Sequence, residues 1–147
     1  MEYRHTQFGT VIIFAVGIFV AAILVHFLMS GSIPPFEAGI AILLLIMLFL
    51  FASLTVEINH GSVVCSFGPG LIRKAIKLSD VIDARPVTNS WLAGWGIRWM
   101  PGRYMLWNIS GFQAVELTLT NGKRFRIGTD EPAALARAIQ INKTTGT

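Results

Sequence analysis

The sequence predicts an α+β membrane protein: two transmembrane helices, then a small antiparallel β-barrel or sandwich with a C-terminal helix. Three observations predict it. Two long apolar runs lie near the N-terminus, from about Phe8 to Met29 and from about Phe36 to Leu54. Beyond Leu54 the apolar residues alternate with polar ones, the period of half-buried strands. The last segment before the C-terminus returns to helical spacing. The expected division is residues 1–54 as a transmembrane hairpin and residues 55–147 as one small domain.

Crossing a hydrocarbon core of about 30 Å takes about 20 apolar residues. Phe8–Met29 meets this without Asp, Glu, Lys or Arg, and His26 is its only ionisable side chain. The second run becomes long enough when Phe36 is included. The first run is longer than the apolar stretch of a cleaved signal, its basic flank is Arg4 alone, and no small-residue cleavage pattern stands out, so an uncleaved hairpin is expected. The connecting loop, Ser30-Gly31-Ser32-Ile33-Pro34-Pro35-Phe36-Glu37, holds no Lys or Arg. Pro34 and Pro35 cannot continue a helix and make the turn sharp.

Charge follows the same division. Through Leu54 the chain carries Arg4, Glu2 and Glu37; from Thr55 on it carries 11 Lys/Arg against six Asp/Glu. The rule that basic residues stay inside therefore places both termini on the cytoplasmic side and the Pro-Pro loop outside. Gly17 and Ala21, four residues apart, form a small-residue stripe that suits close helix packing. Cys65 is the only cysteine, which excludes an internal disulfide and a cysteine-based metal cluster; it falls within a strand and reads as a small buried hydrophobe.

In the second part, Thr55–Ile58 and Ser62–Phe67 read as strands joined by Asn59-His60-Gly61. Gly68-Pro69-Gly70 breaks the pattern. Leu71–Leu78 alternates apolar and basic residues, with Ile72, Ile76 and Leu78 on one side and Lys77 on the other. Ser79-Asp80 turns into a strand over Val81–Val87. Ala114–Thr120 is the cleanest alternation, Asn121-Gly122 is a strong hairpin turn, and Lys123–Gly128 returns with Phe125 and Ile127 inward and Arg124 and Arg126 outward. Thr129-Asp130-Glu131-Pro132 opens a helix with a capping side chain, acids and an early proline. Leu135, Ala138 and Ile139 give that helix an apolar stripe, it ends near Asn142, and Lys143–Thr147 reads as a polar tail.

Short antiparallel strands followed by one amphipathic helix resemble the pleckstrin-homology-like (PH-like) fold. The closer resemblance is to small bacterial membrane proteins that carry a PH-like domain after a two-helix hairpin. It is carried by Leu78-Ser79-Asp80-Val81, Gly94-Trp95-Gly96-Ile97-Arg98, Pro101-Gly102, Asn108-Ile109-Ser110-Gly111, Ala114-Val115-Glu116-Leu117 and Arg126-Ile127-Gly128-Thr129-Asp130-Glu131-Pro132. The resemblance implies a PH-like barrel or sandwich, a bacterial inner (cytoplasmic) membrane and no catalytic activity. In phosphoinositide-binding PH domains basic residues of the first hairpin loop hold the headgroup; here that turn is Asn59-His60-Gly61, so phosphoinositide recognition is not expected.

All four tryptophans lie between Trp91 and Trp107, in a segment that interrupts the strand series. Trp91, Trp95, Arg98, Trp99, Arg103, Tyr104 and Trp107 are the candidate partner- or lipid-binding residues. Trp is favoured at the membrane–water interface, Arg98 and Arg103 suit phosphate headgroups, and Trp, Tyr, Met and Arg are enriched at interaction hot spots. Three readings stay open: a wedge against lipid, a docking surface for another membrane protein, or a segment that folds back into the core. For His26, snorkelling or a hydrogen bond to a neighbouring helix stands beside axial ligation of a chlorin or haem metal, since Ala22-x-x-x-His26 is similar to the small-residue-then-His spacing of bacterial light-harvesting helices. No metalloprotease, Walker, nucleophile-elbow or dinucleotide motif occurs, and His5, His26 and His60 lie far apart in sequence. The tether to a bilayer and the absence of a dense Lys/Arg stripe argue against nucleic acid.

The expectation is a non-enzymatic membrane scaffold or accessory subunit whose partners are the lipid bilayer and other integral membrane proteins of a larger complex, with no cofactor and no metal. The alternatives are a pigment- or haem-binding subunit using His26 and a lipid-surface sensing module.

Overall fold

The computed structural model describes residues 2–145. The chain opens on a strand, β1 (Tyr3–Phe8), before the helices α1 (Thr10–Ser30) and α2 (Pro35–Phe51) and the strand β2 (Ser53–Asn59). β1 pairs antiparallel with β2 from Tyr3↔Ile58 to Phe8↔Ser53, and the Gly9 N–H donates to the Ala52 carbonyl at 2.8 Å. The helical hairpin therefore stands where a β-turn would, inserted between two paired strands with no linker on either side. This corrects the expected boundary, because residues 3–8 belong to the sheet and not to the hairpin. Tyr3-Arg4-His5-Thr6-Gln7-Phe8 has too little apolar alternation to announce a strand.

α1 is 21 residues of mean hydropathy 2.9 and, among the described residues, the one helix long and apolar enough to cross a membrane. α2 is apolar but has 17 residues, about 26 Å of helix. The expected span through Leu54 is corrected: Ser53 and Leu54 are the first residues of β2, and Leu54 is buried in the core. Glu37, expected in the loop, lies in the first turn of α2, where a carboxylate suits the helix dipole. α1 buries only Val16 within the molecule and α2 buries nothing.

The remaining elements are β3 (Ser62–Phe67), β4 (Ile72–Lys77), β5 (Val81–Thr88), β6 (Gly96–Met100), β7 (Tyr104–Asn108), β8 (Gln113–Leu119), β9 (Arg124–Gly128) and α3 (Pro132–Thr145). They form two sheets, in orders β1-β2-β3-β4 and β5-β8-β9-β7-β6, which do not close into a barrel. The β2–β3 and β8–β9 hairpins arise as the sequence predicts. His60 and Gly61 carry positive φ, 46° and 72°, as a two-residue hairpin turn requires. The expectation of wholly antiparallel strands is corrected at one pair, since β7 and β9 run parallel. Pro86 sits on β5, an edge strand, where its missing N–H breaks no inner ladder.

Val56, Val63, Phe67, Trp107, Val115, Leu117, Phe125 and Ile127 fill the core, and Leu135, Ala138 and Ile139 of α3 add to it. α3 lies on β5 and β8, tied by Gln140 Nε2 donating to the Ala84 carbonyl at 3.2 Å. It runs three residues beyond the expected end at Asn142. The last two residues of the expected polar tail, 146–147, lie outside the described residues.

Candidate interaction site

The hairpin rises from one end of the two sheets, and a set of hydrogen bonds defines that end. Gln7 Nε2 donates to the Ser110 carbonyl at 3.1 Å, and the hydroxyls of Thr10 and Ser110 are 3.4 Å apart. The Gly68 N–H donates to the Ser53 carbonyl at 2.8 Å. Gly68 has φ +48°, and a Cβ there would lie 2.5 Å from the Phe49 carbonyl oxygen and 2.7 Å from that of Leu50. Only glycine lets the β3–β4 loop approach the last turn of α2 so closely. At Gly9 an added Cβ would meet Ile109 at 2.8 Å and Ile12 at 2.9 Å. The base of the hairpin is thus packed against the β-domain by close backbone contact.

The sequence treats the tryptophan segment as one unit, and the structure divides it. β5 and β6 are opposite edges of their sheet, so residues 89–95 must cross four strand spacings, about 19 Å. The crossing is pinned over β9 by Arg126 Nη1 donating to Asn89 Oδ1 at 3.0 Å and over β7 by Asn108 Nδ2, which reaches the Gly94 carbonyl at 3.5 Å. Asn89 and Ala93 are buried. Beneath the crossing, Glu116 is wholly buried and accepts from Arg85 Nη2 and Arg126 Nε, both at 2.7 Å. Glu116 stands opposite Arg85 on β5 and Arg126 on β9. Burial raises its carboxyl, but the hydrogen bonds and charges of Arg85 and Arg126 outweigh burial and hold it below its ordinary value. The Arg126 guanidinium lies 3.7 Å from the centre of the Tyr104 ring, a cation–π contact that fixes Tyr104.

Of the seven candidate residues, Trp107 folds into the core, 6% exposed, with its ring 5.1 Å from Phe67. Trp91, 74% exposed, lies on the crossing segment. Trp95 and Arg98 lie at the hairpin end: with Ile12, Met47, Phe51 and Ile97 they line an open apolar cleft of about 400 Å³ between hairpin and domain. Trp95 stands 6.4 Å from Phe112. Trp99, Arg103 and Tyr104 lie around the β6–β7 turn at the other end, about 20 Å of strand from Ser110. The insert therefore carries two exposed surfaces facing different ways, plus one core residue.

His26, the eighth candidate, is apart from all of these. Its Nδ1 is 2.9 Å from Glu37 Oε2, across the top of the hairpin. Ser30 Oγ donates to the His26 carbonyl at 2.7 Å. As a loop residue, Glu37 gives no sign in the sequence of this pairing; its place in the first turn of α2 brings it to His26.

His5 on β1 is also missed by sequence reasoning. Its Nε2 is 2.5 Å from Asp130 and its Nδ1 3.5 Å from Glu131. The two carboxylates meet opposite ring nitrogens and do not converge on a point. They clamp β1 to the start of α3. Burial, with the charges of Glu131 and Asp130, pushes the Tyr3 phenol up to about 12. Among the described residues no three His, Cys, Asp or Glu side chains gather as a metal site. A scan against protein-family models finds no match to this chain, and a search of curated proteins finds no match either.

Proposed function

We propose that this chain is a non-enzymatic membrane protein, a scaffold or accessory subunit that docks on a larger membrane complex through its helical hairpin and its aromatic surface. The observation that carries the reading is the uncovered hairpin. Phe14, Ile18, Leu28, Met29, Leu43 and Phe49 are each more than half exposed, and none of the described residues covers them. In water such a surface has no stable place; it calls for lipid, other helices, or both. Both α1 and α2 cross the bilayer in this reading, α2 being short enough to favour local thinning or a lateral partner. The sheet pairing of β1 supports an uncleaved hairpin, because cleavage after α1 would strip a strand from the sheet.

The Lys/Arg distribution supports cytoplasmic termini in a bacterial inner membrane. Two sheets and a C-terminal helix support the PH-like resemblance, from which the parallel β7–β9 pair and the unclosed sheets depart. Trp95, Phe112 and Arg98, at the hairpin end, would sit at headgroup level. Purification from native membranes in a gentle detergent tests the proposal. Stoichiometric integral membrane partners are expected, and a chain that always runs alone would overturn the accessory-subunit reading.

One observation favours a second reading. A carboxylate on one ring nitrogen orients the other for metal ligation, and Glu37 holds His26 Nδ1 in this way, leaving Nε2 to ligate a chlorin or haem metal. Pigment absorbance that co-purifies and is lost in His26→Ala is expected of it; absorbance that survives the substitution removes it.

A further inference from the structure

At the far end from the hairpin the two sheets leave an open seam, and the residues lining it are chemically one-sided. A pocket of about 410 Å³ lies between β4, the β6–β7 turn and the β8–β9 turn. Lys74, Arg103, Lys123 and Arg124 line it, and no Asp or Glu does. Trp99 and Tyr104 form part of its wall.

Lys74 is the telling residue. The register of β4 puts it between Ile72 and Ile76 on the inward face, half-buried. Its Nζ lies 5.1 Å from the Phe125 ring centre and 3.8 Å from Met105 Sδ. Among the described residues no carboxylate lies within ion-pair distance of it, nor of Arg103 or Lys123. Arg124 reaches Glu116 only at 3.9 Å. An inward lysine on an edge strand blocks edge-to-edge pairing, which accounts for Lys74 alone. It does not account for two more unpaired cations, Arg103 and Lys123, brought to the same pocket from two turns of the other sheet. Like charges gathered beside apolar walls repel one another, and an anion relieves the repulsion.

We propose that this seam binds a soluble phosphorylated small molecule of the nucleoside diphosphate class. The volume fits a small ligand. Lys74 and Arg103, with Lys123 at the rim, supply charge-assisted hydrogen bonds to a diphosphate. Trp99, 71% exposed, offers a free ring face for a base to stack on. The pocket lies about 20 Å of strand from the hairpin base, which separates it from the headgroups of the bilayer holding the hairpin. The site stands independently of the docking role proposed above.

The test is calorimetric titration of the full-length protein in lipid nanodiscs with ADP, pyrophosphate and adenosine as probes. ADP should bind most tightly, pyrophosphate more weakly and adenosine not measurably, and raising salt from about 50 mM to about 500 mM should weaken ADP binding. Lys74→Met, which keeps the apolar contacts of the stem, should weaken ADP about tenfold or more. Arg103→Ala, at an exposed turn, should do the same and serves where Lys74→Met does not fold. Affinity for ADP should be equal in zwitterionic and anionic nanodiscs. No heat from ADP or pyrophosphate up to about 5 mM, binding unchanged in both variants, or loss of ADP binding in anionic discs would each overturn the proposal; the last would assign the pocket to lipid headgroups.

Discussion

Replacing Glu116 by Gln probes the polar layer that holds the crossing segment in place. Gln keeps the shape but turns one acceptor into a donor that faces a guanidinium. The Arg126 contact is the valuable one: 2.7 Å long, with Arg126 16% exposed and Glu116 fully buried. A charge-assisted hydrogen bond of this kind contributes about 1.5–3 kcal/mol. Arg85, whose side chain is mostly in solvent, adds little. The expected loss is therefore about 2–3 kcal/mol. With a urea slope of about 1–2 kcal/mol/M for a domain of this size, the midpoint falls by about 1–3 M.

The assay is urea unfolding of the full chain in detergent, followed by tryptophan emission, across pH. The folded carboxyl lies below its ordinary 4.5, so its contribution is present above that value and is lost as pH falls through the folded one. The gap between wild type and Glu116→Gln should hold at neutral pH and close in acid, where the native side chain is also uncharged. A gap under about 0.5 kcal/mol at pH 7, or one that persists unchanged to strongly acid pH, refutes the reasoning.

Other outcomes follow from the same geometry. Gly68→Ala introduces a Cβ at positive φ against the end of α2 and should cost about 2–4 kcal/mol in thermal unfolding; a neutral result would mean that the β3–β4 loop does not abut the hairpin. The Cys65 thiol is buried and pushed up to about 12 by burial against the lowering field of Lys74. It should resist aromatic disulfide reagents until the protein unfolds, and its share of stability, intact below the ordinary 9, should fall as pH rises towards 12. On addition of anionic vesicles to detergent-depleted protein, Trp95→Phe should remove most of any blue shift in emission and Trp99→Phe little, because only Trp95 faces the hairpin end. The reverse order would place the membrane surface elsewhere.

What was legible in the sequence was local. Asn121-Gly122 between two alternating runs specifies the β8–β9 hairpin, and Pro132 with Leu135, Ala138 and Ile139 specifies α3, because turn chemistry and periodicity act over a few residues. β1 was not legible, since its partner β2 lies beyond the whole hairpin in sequence and its own residues are mostly polar. The fates of the four tryptophans were equally hidden. Trp107 and Trp99 lie on paired strands of one hairpin, yet β7 is inside the sheet and β6 is its edge, so one ring is core and the other is surface. Lys74 shares a side with Ile72 and Ile76 in the alternation itself, but what it meets there, the Phe125 ring and Met105 of the other sheet, depends on how the two sheets pack and leaves no local signal. Across the legible β8–β9 hairpin Glu116 faces Arg126, but Arg85, and the Asp130 and Glu131 partners of His5, lie far from their partners in the chain and leave no spacing to detect.

The central claim is that the exposed apolar faces of the hairpin meet both lipid and another membrane protein. A photoreactive residue placed singly at Phe14, Ile18, Leu28 and Leu43 in native membranes tests it most directly. The account predicts one discrete protein adduct from positions on one face of the hairpin and lipid adducts from the other. Lipid adducts alone from every position would contradict it.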